Sequence, residues 1–179
     1  MKTNSLVLYK NKPARVLTTG DKKIEIDVAE LGKVSVRPKD VTLLHPGPVA
    51  SLNALHATAG DALTAWELLA GETTSLPELA ELAYGEFTPA AAWAVWRLVA
   101  DGLYFDGTPQ EIRVRTGTEV QAIQAARAEK EAEAEAWAGF ITSLQRHEVG
   151  EENGRFLPEI IALAQGQQDK SRALKELGL

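Results

Sequence analysis

Apolar residues in the first 45 positions recur at every second residue, not every third or fourth. LVLY (6–9) leads through a turn at NKP into ARVLTT (14–19). Gly20-Asp21 then turns the chain into KKIEIDV (22–28), where Ile24, Ile26 and Val28 alternate with Glu25 and Asp27. A period of two places one face of a strand against a core. KVSVR (33–37) alternates again after Gly32, and DVTLLH (40–45) follows Pro38. Five short strands at intervals of about ten residues predict a small closed or nearly closed β-barrel, SH3- or OB-like.

Pro46-Gly47-Pro48 punctuates this region, and beyond it the period becomes helical. SLNALHATAG and DALTAWELLAG both read as helices stopped by glycine. Asp61 caps the second, with Leu63, Trp66, Leu69 and Ala70 on one face. Thr73-Thr74-Ser75 starts PELAELAYG, with Pro77 in the first turn, and Thr88-Pro89 starts PAAAWAVWRLVADG. LYFDG and EIRVRT then return to strand chemistry as a hairpin near 103–115. Helices joined by a short turn and followed by a hairpin predict a winged helix-turn-helix.

From 118 to about 147 there is no proline and one glycine, Gly139. Thr118 is the expected cap of a helix about 45 Å long, at 1.5 Å per residue. Its middle, ARAEKEAEAEA, has no apolar stripe larger than alanine, so charge pairs and intrinsic propensity must hold it. Trp137, Phe140, Ile141 and Leu144 recur at helical spacing near its end and read as packing. FLPEIIALAQG and KSRALKELG predict two short helices after that. The expected fold class is therefore α+β in three parts: a barrel over 1–47, a winged helix-turn-helix over 48–117, and a long helix with short C-terminal helices over 118–179.

Charge distinguishes these parts. Of the net −6, residues 1–47 carry +4, residues 48–117 carry −6 and residues 118–179 carry −4. A polyanion would be attracted only to the front. Cysteine is absent, which excludes disulfides, thiolate metal sites and a cysteine nucleophile. His45, His56 and His147 make no ligand spacing, and the seven aspartates are scattered, unlike a two-metal phosphodiester site. No phosphate-binding glycine loop or nucleophile elbow occurs. No catalytic residue and no resident metal or cofactor is expected in this chain. No apolar run approaches the roughly 20 residues of a membrane span, and the N-terminus lacks the pattern of a signal peptide. A soluble, cytoplasmic protein with no membrane partner is the expectation.

The candidate contacts for nucleic acid lie mainly in the barrel. Lys10 and Lys12 stand in its first turn, Arg15, Lys22 and Lys39 on strands and loops, and Lys33 and Arg37 on the solvent side of one strand opposite Val34 and Val36. Tyr9 is the nearest stacking ring. Arg113 and Arg115 in the hairpin are a secondary candidate. A helix that reads DNA needs cations and donors toward the groove, and the segment from Pro89 to Asp101 offers only Arg97.

KPARV, VRPKDVTLLHPGP and AWELLAGETTSLPELAELAYGEFTPAAAWAVWRLVADGLYFDGTP together resemble the N-terminal region of a ribonuclease II-like branch of the RNB superfamily, bacterial and plastid 3′→5′ exoribonucleases. The resemblance spans roughly residues 7–179, and the GETT…LAELAYGE…TP…AW stretch is its specific part. It implies a barrel and a winged helix in place of paired cold-shock domains, and single-stranded RNA as partner. KSRALKELGL is similar to the lead-in to that family's catalytic RNB domain, whose aspartate cluster holds Mg²⁺. Neither that domain nor the family's S1 domain is in this chain, so no catalytic residue carries over. The chain is accordingly expected to be an RNA-guiding fragment of such an enzyme. A standalone winged-helix nucleic-acid-binding regulator and a structural protein-interaction module are the alternatives.

Overall fold

Alternation along the front of the chain is realised as an antiparallel sheet. The structure, a computed structural model, describes residues 1–56, 60–150, 153–167 and 170–178. Five strands, β1 (Leu6–Tyr9), β2 (Lys12–Thr18), β3 (Ile24–Val28), β4 (Gly32–Val36) and β5 (Thr42–His45), pair in the order β4-β3-β2-β1-β5. Lys10 and Asn11 both take positive φ, 47° and 62°, as a tight hairpin turn with right-handed twist requires. A 3-10 turn, Pro38–Asp40, separates β4 from β5. One face of the sheet buries Val7, Ala14, Val16, Ile24, Ile26, Val28, Val36 and Val41 in a single cluster. The other face divides. Leu6 and Leu44 are buried in the core of the helices that follow, while Lys33 and Ser35 are exposed and Arg15 half-buried.

That second core is built on α1 (Ala62–Leu69), α2 (Leu76–Tyr84), α3 (Pro89–Asp101) and a three-stranded sheet of β6 (Thr73–Thr74), β8 (Glu111–Val114) and β7 (Phe105–Thr108), in the order β6-β8-β7. Each helix has its own start signal. Asp61 accepts from the Thr64 amide, Ser75 and Glu78 form a reciprocal capping box, and Thr88 accepts from the Ala91 amide. Gly85 and Gly102 end α2 and α3 in the left-handed conformation.

Three expectations are corrected here. The helix expected over SLNALHATAG is, among the described residues, only a 3-10 turn at Leu52–Ala54, and residues 57–59 lie outside them. Leu52 and Leu55, three apart, both pack on the core, a spacing that one tight turn already satisfies. Thr73-Thr74 is strand, held by pairing with Arg113 and Ile112, and Ser75 alone caps α2. On α1 the buried residue is Ala65, with Trp66 and Leu69 partly buried beside it; Leu63 is half-exposed because the core reaches only one narrow side of this short helix. Trp93 and Trp96 are half-buried at the margin of the core, and the Trp96 indole N–H is buried without an acceptor.

The chain divides into two compact units, Met1–Gln121 and Ala122–Leu179. Pro46-Gly47-Pro48 therefore lies inside the first. α4 (Gly117–Arg146) crosses the division and runs for 30 residues. It starts two residues earlier than expected: Thr116 is its cap, not Thr118. The Glu119 carboxylate accepts from the Thr116 amide at 2.8 Å and from its hydroxyl at 3.0 Å, while that hydroxyl accepts from the Glu119 amide. These bonds, with Arg113 beside them, hold the Glu119 carboxyl down at about 2. In the second unit, Trp137, Phe140 and Ala173 are buried, with Phe156 and Leu157 packed against them. α5 (Leu157–Ala164) and α6 (Arg172–Glu176) complete it.

His45 ties the first sheet to the α2–α3 turn. The Gly47 amide donates to Nδ1 at 2.9 Å, so the ring's hydrogen sits on Nε2 and is given to the Phe87 carbonyl at 3.1 Å. The two rings are also 4.5 Å apart. Burial pushes the His45 pKa down, and a proton on Nδ1 would face a donor. A lowered folded value means that stability is complete above the unfolded value near 6.5 and is lost as pH falls from there toward the lower folded value. The urea midpoint should therefore fall between about pH 7.5 and 5.5, and the same titration of His45→Gln should be flatter. An equal slope in both proteins would contradict this assignment.

Candidate nucleic-acid interface

Of the nine cations singled out above, the fold engages five in ion pairs. Lys12 meets Glu30 where the β1–β2 and β3–β4 turns converge, and this contact lowers the Glu30 pKa. Arg15 lies opposite Asp27 in the β2–β3 register and approaches it at 3.7 Å. Its guanidinium also donates to the Ala50 carbonyl at 2.6 Å, so it fastens β2 to the segment after the sheet. Arg37 grips Asp40 with two bonds, 2.9 and 3.1 Å, which hold the Asp40 carboxyl below the usual range. Arg113 pairs with Glu119 at 2.8 Å. Arg115 is the most committed: Nε donates to the Gly102 carbonyl at 3.1 Å, the guanidinium faces Asp106 at 3.3 Å, and its carbonyl accepts from the Trp66 indole at 2.6 Å. It organises the hairpin and offers little to a ligand.

The remaining four, Lys10, Lys22, Lys33 and Lys39, are exposed and make no ion pair among the described residues. The alternating strand direction separates them. Lys10 and Lys33 lie toward the end of the sheet that carries the 10–11 and 29–31 turns. Lys22, in the β2–β3 loop, is at the other end, where Pro38 also lies. Arg37 stands just past the end of β4, so Lys33 and Arg37 mark opposite ends of one strand. Tyr9 is not an open platform. Its ring packs against the sheet's core, with the Lys10 ammonium 5.4 Å from its centroid.

A cleft of about 360 Å³ opens at the Lys22 end, lined by Met1, Thr19, Gly20, Asp21, Ile24 and Pro38. Lys2 and Lys23, both exposed, flank it in sequence and were not among the candidates. The signal was present as a Lys-Lys doublet inside a strand-to-strand turn. On the helical side, Arg97 of α3 is exposed among half-buried tryptophans, and part of α3 is spent on packing against β5.

Among the described residues, no group of three or more histidines or carboxylates is placed to share a metal ion. No helix among them is long and apolar enough to cross a membrane. Comparison with protein-family models, with curated proteins and with solved structures finds no match.

Proposed function

We propose that this chain guides single-stranded RNA, as the N-terminal part of a ribonuclease II-like 3′→5′ exoribonuclease whose Mg²⁺-holding catalytic domain lies outside it. The carrying observation is electrostatic. Six exposed lysines that make no ion pair among the described residues, Lys2, Lys10, Lys22, Lys23, Lys33 and Lys39, belong to the five-stranded sheet and its N-terminal segment, while the helical segment after it is acidic and its two hairpin arginines are occupied. The finer fold assignment belongs to the same proposal. A strand order of β4-β3-β2-β1-β5 with a 3-10 turn before the last strand supports an SH3-like barrel. The sequence α1-β6-α2-α3-β7-β8 with sheet order β6-β8-β7 supports a winged helix. In this reading the winged helix is a packing module, since α3 rests on β5 and lacks a row of cations.

A titration of the chain with labelled single-stranded RNA and, separately, duplex DNA tests this. RNA should bind more tightly, and Arg97→Ala should leave that binding unchanged. A preference for duplex that disappears in Arg97→Ala would make α3 the reader and the chain a regulator. Absence of binding to either at low salt would favour a protein-interaction module.

A further inference from the structure

The proposed function leaves open where a strand would lie, and the cations point both ways along the sheet. We infer that the backbone phosphates of a single-stranded polynucleotide seat at the end of the five-stranded sheet formed by the 19–23 loop, Pro38-Lys39 and the N-terminal residues. The exposed strand face and the opposite end do not hold them. This rests on the RNA-guiding reading and sharpens it to one surface.

Three observations converge there. Met1, Thr19, Gly20, Asp21, Ile24 and Pro38 line one cleft of about 360 Å³, near the lower bound for sites that hold small ligands. Lys2, Lys22, Lys23 and Lys39 adjoin those lining residues in sequence, are exposed, and make no ion pair among the described residues. The nearby acids are few. Asp40 accepts both bonds of Arg37 and also feels the Lys39 ammonium, so Asp40, Asp21 in the lining and Glu25 at the start of β3 are the acids set beside Arg37 and four ammonium groups.

The loop that carries two of these lysines is tightly built. A Cβ on Gly20 would meet the Lys23 carbonyl at 2.6 Å, so only glycine lets the turn close this far. The short N-terminal segment is fixed beside it, because the Asn4 amide donates to the Val16 carbonyl at 2.7 Å and the Ser5 amide to the Lys2 carbonyl at 3.2 Å.

The opposite end is weaker. Lys12 is neutralised by Glu30, Lys33 lies across from Asp27 in the β3–β4 register, and Lys10 is drawn toward the Tyr9 ring. No aromatic ring lines the chosen cleft, so nothing there stacks a base. Recognition is of phosphate charge alone, and it should be indifferent to base sequence and to the sugar's 2′-hydroxyl.

The experiment measures the affinity of the full chain for a short fluorescein-labelled oligouridylate across a salt series. It compares Lys22→Gln/Lys23→Gln/Lys39→Gln with Lys10→Gln/Lys33→Gln. Each phosphate contact contributes about −0.7 to the slope of log affinity against log salt, so the triple variant should flatten it by about 2. That corresponds to a loss of roughly a hundredfold at 0.1 M salt relative to 1 M. The double variant should match the unsubstituted chain, and the oligodeoxyuridylate should bind alike. Loss in the double variant with retention in the triple, or equal small losses in both, would overturn the end assignment and leave the sheet as the RNA contact. If the unsubstituted chain does not bind at low salt, or if binding is lost only in Arg97→Ala, the underlying RNA-guiding reading fails.

Discussion

Phe140→Ala is expected to melt the helical structure of the second unit outside α4. Phe140 is fully buried, 5.6 Å from the Trp137 ring and 5.1 Å from the Phe156 ring in a stacked arrangement. Truncating such a residue costs about 3–5 kcal/mol. The core it leaves behind has Trp137 and Ala173 as its buried members. The remaining ties are an indole hydrogen bond from Trp137 to Glu176 at 2.8 Å and the Arg172 guanidinium 4.2 Å above the Trp137 ring. Such polar contacts at the edge of the core are worth about 1 kcal/mol each, too little to replace the ring. α5 has 8 residues and α6 has 5, both below the length at which a helix persists alone in water. Amide hydrogen exchange should show protection lost in α5 and α6 and retained in β2, β3 and α3. Protection retained in α5 and α6 of the variant would refute the assignment of this core to Phe140.

Gly47→Ala should destabilise the first unit by about 3 kcal/mol, although it adds a single methyl group to a loop. Two independent effects add. Gly47 has φ +93°, where an L side chain is strained by about 1–2 kcal/mol. The new Cβ would also stand 2.4 Å from the Asn4 carbonyl oxygen and 2.9 Å from its carbon. That carbonyl cannot retreat freely. It accepts from the Val49 amide at 2.8 Å, and the Asn4 amide is itself bonded to Val16 at 2.7 Å. Relief would break a buried link between the N-terminus and the segment leaving the sheet, and would disturb the Gly47 amide that orients His45. Urea denaturation followed by tryptophan fluorescence measures the loss. A change below about 1 kcal/mol would mean that the junction gives way easily and that its close approach is incidental.

Where one local rule decides, the fold was readable from residues. Ile24, Ile26 and Val28 announce β3 because every second side chain is apolar, and Ser75 with Glu78 spells a capping box. β6 was not readable, since two threonines carry no period and become strand only by pairing with β8. The start of α4 differs from the expectation because two threonines stand at its front; Thr118 is the helix's second residue, and only Thr116 stands three residues before Glu119. The candidate interface was readable as a surplus of cations but not as a surface. Arg15 loses its availability through the β2–β3 register, and Lys12 through two turns that meet in space. Neither partner is close in sequence. Arg37 and Asp40, three residues apart, were a pair that inspection of the chain could have found.

The middle of α4 has a calorimetric consequence. From residue 121 to 135 every side chain is exposed except that of Ile123, so melting this stretch uncovers almost no new apolar surface. Heat-capacity change on unfolding follows newly hydrated apolar area, and this segment should contribute close to none. Its helix–coil equilibrium then depends on temperature gradually, through propensity and charge pairs alone. Ellipticity at 222 nm should slope steadily with heating before any sigmoidal transition begins. A calorimeter scanning the same sample should register that slope as a low, broad enthalpy with no peak of its own.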